Sequence, residues 1–566
     1  MGARGRRVAR RNGFLRPLRF GYHDRRFRGL RPMRLIGLLN AAQKRHGYLS
    51  QDTLRALAKE ANVPLHRLQQ LVSFYPSFRT TPPPRVELAV CRDMSCYLAG
   101  AEACAAKLKE LAGDGVEVKE VSCIGRCDRA PMGMLNHEPV PVADLERVKA
   151  WAAKPESVPH FDQPPPSRWK IDPYPTPESR YGAFRKLVSM SRAEGEAWGL
   201  AELKTAGVRG MGGAGFPAGT KWALVKHEPR FPKYVICNAD ESEPGTFKDA
   251  KILADVPHLT LEGMMIAAYT LGAETAIVYL RHEYEAERER VQAATDTAYA
   301  AGLLGKNILG TGANLDISIF VSPGGYILGE ETALLEALVD KRGDPRNKPP
   351  FPGTHGLNGQ PTLINNVETF AHIPGILMNG GEWWKNQGRN GCAGPKFIAV
   401  SGHVERPGVY EVPLGTTVRE LIDLAGGMRD GKKLLAFAPG GASSNFLPAS
   451  QVDVKLDFAE LAKAGSMLGS GAVVVVAEGT DLLALATNVS KFFRNESCGK
   501  CVPCRVGSEK AVELLDAVLA GKLPRTALDV LPDLGETMAL TSICGLGQVA
   551  VAPALSVIKQ WPELGR

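Results

Sequence analysis

The stretch "SCGKCVPCRVG", residues 497 to 507, sets Cys498, Cys501 and Cys504 at three-residue intervals. Thiols this close along a chain do not suit a disulfide framework. The C-x2-C-x2-C run instead lets three thiolates cap three corners of an iron–sulfur cubane, with the fourth ligand arriving from a distance. "TSICGLGQ" supplies Cys544, the one cysteine left in the C-terminal region, and its Gly545 and Gly547 allow close backbone approach to a bulky group. The spacing predicts a [4Fe-4S] cluster on Cys498, Cys501, Cys504 and Cys544, with a zinc knuckle as the alternative. A second set pairs Cys91 with Cys96 and Cys123 with Cys127, each pair just after an expected strand. Four thiols brought together by such loops form a four-thiolate site. The wide "RDMS" and "IGR" wraps favour a [2Fe-2S] cluster over zinc. Cys104, Cys237 and Cys392 stand alone and read as small buried apolar residues.

A third feature is the loop "GMGGAG" at 210 to 215, which satisfies G-x-G-x-x-G literally. The dinucleotide turn needs a strand before it and a helix after it. Here "AELKTAGVR" leads in with helical character, and Pro217 follows. The loop is therefore expected to wrap a phosphate or a flavin with backbone N–H groups, and Lys221 beyond it to meet the phosphate charge.

The elements that position these groups divide a 566-residue chain into about three to five folding units. Residues 1–34 form a basic tail, expected to be disordered: twelve of the first 36 residues are arginine against the single acid Asp24, so the formal charge of +9 belongs to this end. Residues 35–82 carry leucines at helical spacing (Leu35, Leu38, Leu39; Leu54, Leu57; Leu65, Leu68, Leu71), with Ser50 as an N-cap, and read as a small helical bundle. Residues 83–153 read as a compact α/β unit holding the first cysteine set. Residues 154–180 read as a proline-rich, semi-rigid linker. Then follow an α/β domain at 181–394, a small β-rich domain at 395–478 and a helical region at 479–566. The longest apolar runs, such as "GAVVVVA", fall far short of the ~20 residues of a membrane helix, so no membrane insertion is expected. Eleven cysteines with no signal peptide point to a reducing, cytoplasmic setting.

"GMGGAGFPAGTKW", "NADESEPGTFKD", "GGYILGEETALLEALVDKRGDPRNKPPFP", "PTLINNVETFA" and "ESCGKCVPCRVG…SICGLGQ" resemble the flavin- and NADH-binding subunit of respiratory complex I and its soluble relatives, across residues 181 to 566. Residues 35 to 150, with "HGYLS", "VSFYPSFRT" and the first cysteine set, resemble the separate thioredoxin-like [2Fe-2S] subunit of the same enzymes, here fused. The resemblance implies a multidomain α/β protein: a helical bundle with a thioredoxin-like [2Fe-2S] domain, an FMN-binding α/β domain, a β-grasp (ubiquitin-like) domain and a C-terminal helical bundle with the [4Fe-4S] cluster. It implies FMN on Gly210, Gly212, Gly213, Lys221, Asn238, Asp240, Glu241, Ser242, Gly329, Glu330, Asn365, Asn366 and Thr369. Their amides, hydroxyls, carboxylates and ammonium suit ribityl and phosphate groups. NAD(H) would be stacked by Phe216 and Phe351 and oriented by Glu243, Glu331 and Lys348. Two positions depart from the family: Met211 replaces a common arginine and Leu224 a common aromatic, which bears on affinity rather than on reaction type.

The implied reaction is hydride exchange between nicotinamide and flavin, followed by single-electron steps through the clusters. The chain lacks a catalytic metal motif for a second substrate, so a partner is implied and the protein is expected to be hetero-oligomeric. The fusion, the lack of an added C-terminal ferredoxin domain, and "EWWKNQGRNG", "FLPASQVDVKLDF" and "SVIKQWPEL" resemble most the beta subunit of soluble molybdenum or tungsten NAD-dependent formate dehydrogenases, which turn formate and NAD+ into CO2 and NADH. The partner would then be a Mo/W-pterin alpha subunit. Alternatives are the diaphorase subunit of a bidirectional NAD-linked hydrogenase and a fused complex I subunit. A non-catalytic metal- or nucleic-acid-binding module led by the basic tail leaves the flavin loops unexplained, and no nucleic acid is expected.

Overall fold

The computed structural model describes residues 34–159 and 166–562, and the arginine-rich tail lies outside them. Three helices, Arg34–His46, Gln51–Ala61 and Leu65–Phe74, form the expected bundle. Ser50 Oγ accepts the Thr53 N–H at 3.1 Å, and Asn62 closes the same helix in the left-handed conformation (φ 54°). The bundle is pinned to the flavin domain. Leu35 and Ile36 N–H donate to the Asp340 carboxylate at 3.0 and 2.9 Å, and Tyr75 OH donates to the Lys341 carbonyl at 2.5 Å.

Strands β1 (Val86–Cys91), β2 (Val116–Val121), β3 (Met132–Leu135) and β4 (Glu138–Pro141) make a four-stranded sheet of order β2-β1-β3-β4. β1 is parallel to β2 and antiparallel to β3, the thioredoxin-like arrangement. The central strand β1 is almost wholly buried, while the edge strand β2, "VEVKEV", turns its charges outward and so protects the edge. Between β1 and β2 lie two helices, Met94–Leu98 and Ala101–Leu111, divided at Gly100 (φ 81°).

The second half of the expected linker is a packed strap rather than a spacer. Trp169 meets Phe397 edge-on at 4.9 Å and donates Nε1–H to Asp255 at 2.8 Å; Ile171 and Tyr174 are buried, and Tyr174 OH donates to Glu262 at 2.8 Å. Three apolar anchors outweigh the proline-rich composition around them.

The flavin domain is built on β5 (Tyr234–Ala239), β6 (Thr275–Leu280), β7 (Asp316–Val321) and β8 (Thr362–Asn366), all parallel, in the order β7-β6-β5-β8. The strands are apolar runs, as a sheet covered on both faces requires. Behind them the helix Pro257–Leu271 is buried almost along its full length, with Pro257 opening it and Gly272 closing it. It crosses the helix Val367–Asn379 so tightly that a Cβ on Gly263 would lie 2.1 Å from the Phe370 carbonyl oxygen.

β9 (Pro395–Gly402), β10 (Gly408–Pro413), β11 (Leu434–Ala438), β12 (Leu447–Pro448) and β13 (Ala472–Ala477) form a β-grasp sheet of order β10-β9-β13-β11-β12. β13 runs parallel to β9, and Val418, Leu421 and Ile422 of the helix Val418–Leu424 join its core. The C-terminal region is helical, led by Leu482–Asn495, Val502–Leu519 and Leu531–Thr541. Among the described residues no helix is long and apolar enough to cross a membrane.

Candidate flavin cleft and cluster sites

The strand order reverses between β5 and β8, and a doubly wound sheet opens a crevice at the carboxyl ends of such a pair. β5 delivers Asn238 and, just beyond, Asp240, Glu241 and Ser242; β8 ends in Asn365 and Asn366. The glycine loop enters from the side, between the helices Arg192–Ala206 and Ala218–His227, so the lead-in is helical as the sequence indicates. Gly210 N–H donates to the Phe216 carbonyl at 2.9 Å, and Met211 N–H to Thr369 Oγ1 at 2.9 Å. A Cβ on Gly212 would stand 2.9 Å from Asn366 Cβ and push the loop off the strand ends, while Gly213 takes φ +124°, a backbone conformation that side chains rarely adopt. Gly329 lies equally close on the other side: its carbonyl accepts Asn238 Nδ2–H at 2.8 Å, and a Cβ there would come within 3.1 Å of the Asp240 carbonyl. The result is a cradle lined by backbone, the form that a flavin and its phosphate require.

Several candidate contacts are also bonded within the protein. Asp240 accepts from Ser242 Oγ at 2.6 Å and Ser322 Oγ at 2.7 Å. Glu241 is turned inward, accepting the N–H groups of Asp249 (2.9 Å) and Ala250 (3.1 Å) and the Tyr284 hydroxyl (3.0 Å). Burial and then the Asp249 charge push its carboxyl up to about 8. Asn365, oriented to satisfy its neighbours, accepts from Trp222 Nε1–H at 2.9 Å and donates to the Ile364 carbonyl at 3.0 Å. Asn366 Nδ2–H donates to Asp249 at 2.6 Å. Through their side chains, Glu241, Asn365 and Thr369 shape the cleft from behind.

Charge is arranged in a chain across the cleft. Lys221 Nζ donates to the Ile364 carbonyl at 2.8 Å and pairs with Glu331 at 3.5 Å; Lys348 pairs with Glu330 at 2.8 Å and Glu331 at 3.0 Å. Burial works against ionisation of Glu331, but the two ammonium groups outweigh it and hold the carboxyl below its usual range. Glu330 also accepts the N–H groups of Thr332 and Ala333 at 2.8 and 2.9 Å. Glu243 differs: burial raises it to about 7, although Ser443 N–H donates to it at 2.8 Å from the β-grasp domain. Phe216, Phe351 and Leu224 are exposed, the two aromatics offering flat apolar faces.

The loops that follow β1 and β2 bring the first thiol set together. Cys91 ends β1, Cys96 lies in the helix Met94–Leu98, Cys123 follows β2 and Cys127 opens the next turn; all four are buried. Cys123 and Cys127 sulfurs are 3.4 Å apart, and Cys91 is in hydrogen-bonding contact with Cys96 and Cys123. In the C-terminal region Cys501 touches Cys504, and a Cβ on Gly547 would lie 2.8 Å from Cys504 Cβ, so the turn carrying Cys544 presses against the triplet. Burial pushes the Cys544 thiol up to about 12, against the N–H groups of Gly547 and Leu546. Among the described residues no three His, Cys, Asp or Glu side chains gather tightly enough for a single ion; a multi-iron cluster takes its thiolates on separate irons.

Sequence reading missed the groups behind the cleft. Lys248, Glu368 and Lys396 are fully buried: Glu368 Oε2 lies 2.9 Å from each lysine, and Lys396 Nζ also donates to the Met211 carbonyl at 3.3 Å. Arg281 and Tyr284 lie between the cleft and the first thiol set. The one signal for the latter is the charged "RHEY" directly after the apolar β6.

The fold and cleft define a flavin-dependent oxidoreductase subunit with two iron–sulfur domains. Residues 203–375 match the Nuo51 FMN-binding domain, 26–154 the thioredoxin-like [2Fe-2S] ferredoxin, 397–446 the SLBB domain, and 484–564 the NADH-ubiquinone oxidoreductase-F iron-sulfur binding region. The NADH-quinone oxidoreductase F subunit of Streptomyces coelicolor is 42% identical over 395 residues, 70% of this chain and 87% of that protein. NADP-reducing hydrogenase subunit HndC of Solidesulfovibrio fructosivorans is 41% identical over 380 residues, 67% of this chain and 76% of that one. The crystal structure of NAD+-reducing [NiFe]-hydrogenase in the air-oxidized state aligns with a TM-score of 0.83 at 31% identity, over 94% of this chain and 93% of that one. The chain belongs to the family of the NADH-quinone oxidoreductase F subunits, and domains for FMN, NADH, a [2Fe-2S] cluster and a [4Fe-4S] cluster are all present in it.

Proposed function

We propose that this chain is the NAD(H)–FMN diaphorase and electron-transfer subunit of a hetero-oligomeric cytoplasmic enzyme. The observation that carries this reading is the backbone-lined cradle at the ends of β5 and β8, with the Lys221–Glu331–Lys348 chain of charges across it. Gly210, Gly212, Gly213 and Lys221 would hold the FMN phosphate side, and Asn238, Asp240, Ser242, Gly329, Glu330 and Asn366 its ribityl side. Glu241, Asn365 and Thr369 would support them. Phe216 and Phe351 would stack NAD(H), with Glu243, Glu331 and Lys348 orienting it. Bound flavin supplies the step from two-electron hydride chemistry to single electrons. Cys91, Cys96, Cys123 and Cys127 would ligate the [2Fe-2S] cluster, and Cys498, Cys501, Cys504 and Cys544 the [4Fe-4S] cluster. The test is purification of the chain alone: bound FMN, iron without zinc, and NADH-driven reduction of an artificial acceptor are expected. A protein with zinc, no flavin and no such activity would overturn the reading.

The partner is favoured to be of the NAD-linked hydrogenase type, because the likeness to that hydrogenase structure runs over 94% of this chain and 93% of that one, fused N-terminal module included. A second reading, the beta subunit of a Mo/W formate dehydrogenase, rests on the three stretches "EWWKNQGRNG", "FLPASQVDVKLDF" and "SVIKQWPEL"; none of the relatives named above carries that activity in its name. Co-purification decides between them: a nickel–iron partner supports the first, and a Mo/W-pterin subunit with formate-dependent NAD+ reduction supports the second.

A further inference from the structure

We propose that Arg281 is a positioning residue that ties the flavin loop to the [2Fe-2S] loop and raises the reduction potential of that cluster. The guanidinium is buried, and its N–H groups reach three ways. Nη1–H donates to the Glu241 carbonyl at 2.5 Å, in the loop that follows β5. Nη2–H donates to the carbonyl of Cys123 itself. Nε–H and Nη2–H pair with Glu283 at 2.8 Å each. A planar fork with five donors can bridge two backbone carbonyls and a carboxylate at once; an ammonium on a flexible stem cannot hold all three.

The same turn carries a second brace. Tyr284 OH donates to Glu241 Oε2 at 3.0 Å, while its ring is approached by Arg281 and by Arg126 of the cluster loop, 5.5 and 5.2 Å from its centroid. Gly125 lies so close that a Cβ there would stand 2.5 Å from the Tyr284 oxygen. Arg126 in turn forms a bidentate pair with Glu287 at 2.8 and 3.0 Å. One short turn after β6 therefore holds both redox loops. One-electron reduction of the cluster, with the electron drawn from NADH through FMN or from dithionite, adds one negative charge and changes no bond or proton at Arg281. An N–H donated by a buried guanidinium to a ligand's own carbonyl favours the reduced state, with the Glu283 carboxylate offsetting part of its charge.

The inference rests on Cys123 being a cluster ligand. The test is a mediated redox titration of the full holoprotein, followed by electron paramagnetic resonance, for the wild type, Arg281→Met and Arg281→Lys. At the potential where the wild-type [2Fe-2S] cluster is half reduced, the reduced-to-oxidised ratio in Arg281→Met should fall by about tenfold. Arg281→Lys should recover most of that loss while retaining FMN less well, because the charge returns without the bridge. An unchanged ratio in Arg281→Met with an intact [2Fe-2S] signal would overturn the proposal. If Arg281→Met fails to assemble the cluster, Arg281→Lys decides: a ratio near the wild type supports the proposal, whereas loss of the cluster or a tenfold fall overturns it. A Cys123→Ser protein with an undisturbed [2Fe-2S] spectrum would sink the ligand assignment instead, a result no Arg281 variant mimics.

Discussion

Glu331 and Glu243 are both candidates for orienting NAD(H), and their surroundings give them opposite characters. Glu331 sits between two ammonium groups and stays ionised; Glu243 is half-buried with no cation beside it, only Ser443 donating to it, and desolvation raises it to about 7. Replacing Glu243 by alanine should lower kcat/KM for NADH by roughly ten- to hundredfold, the cost of one charge-assisted contact, with FMN content near wild type. Steady-state kinetics and flavin absorbance read both, and loss of FMN would reverse the assignment. The cysteines allow an equally local test. Cys544→Ala should convert the [4Fe-4S] signal of the dithionite-reduced protein toward a three-iron form, while NADH still reduces bound FMN in a single turnover. An unchanged spectrum would mean that Cys544 is not the fourth ligand.

At the scale of elements, the helix Pro257–Leu271 sets the level on which the parallel sheet rests, and two of its residues report on that packing. Gly263→Ala forces a methyl group into the Phe370 carbonyl, so the variant should lose about 1–3 kcal/mol or more in denaturant unfolding. Beside it, Glu262 accepts from Tyr174 OH and Phe184 N–H, and burial raises its carboxyl from 4.5 to about 7. The folded protein thus holds this proton more tightly than the unfolded chain. The resulting stability is complete below pH 4.5 and is lost as the pH rises through 7. Glu262→Gln keeps an acceptor without the charge. Its unfolding free energy should fall less between pH 5 and pH 8 than that of the wild type, by on the order of 1–3 kcal/mol; parallel pH profiles for the two proteins would contradict this.

Across the whole molecule, the thioredoxin-like unit is fastened to the flavin domain by buried ions as well as by apolar contact. Removing one partner of a buried, bidentate pair leaves a charge poorly compensated, so Arg126→Met should cost about 3–5 kcal/mol, and the double variant with Glu287→Met distinctly less. Calorimetry should show an early, separate transition for the [2Fe-2S] unit in the single variant and its partial recovery in the double. Equal destabilisation in the two would mean that the pair does not fasten the units.

Residue type and spacing alone single out both thiol sets as candidates, and they specify the helical bundle with its Ser50 cap and a glycine loop that is not a dinucleotide turn. Each of these depends on neighbours a few positions away, or on pairs of thiols whose chemistry has few other uses. Tertiary structure alone decides that Glu241 turns inward to a helix start, that residues 166–180 pack as a strap, and that Arg281 spans two redox loops. The Arg281 bond to Cys123 joins residues 158 positions apart. Periodicity reports only which face of an element is buried, and a charged residue after a strand reads the same whether it meets solvent or a carbonyl from another domain. Only the folding of β6 between the cleft and the cluster loop chooses its partner.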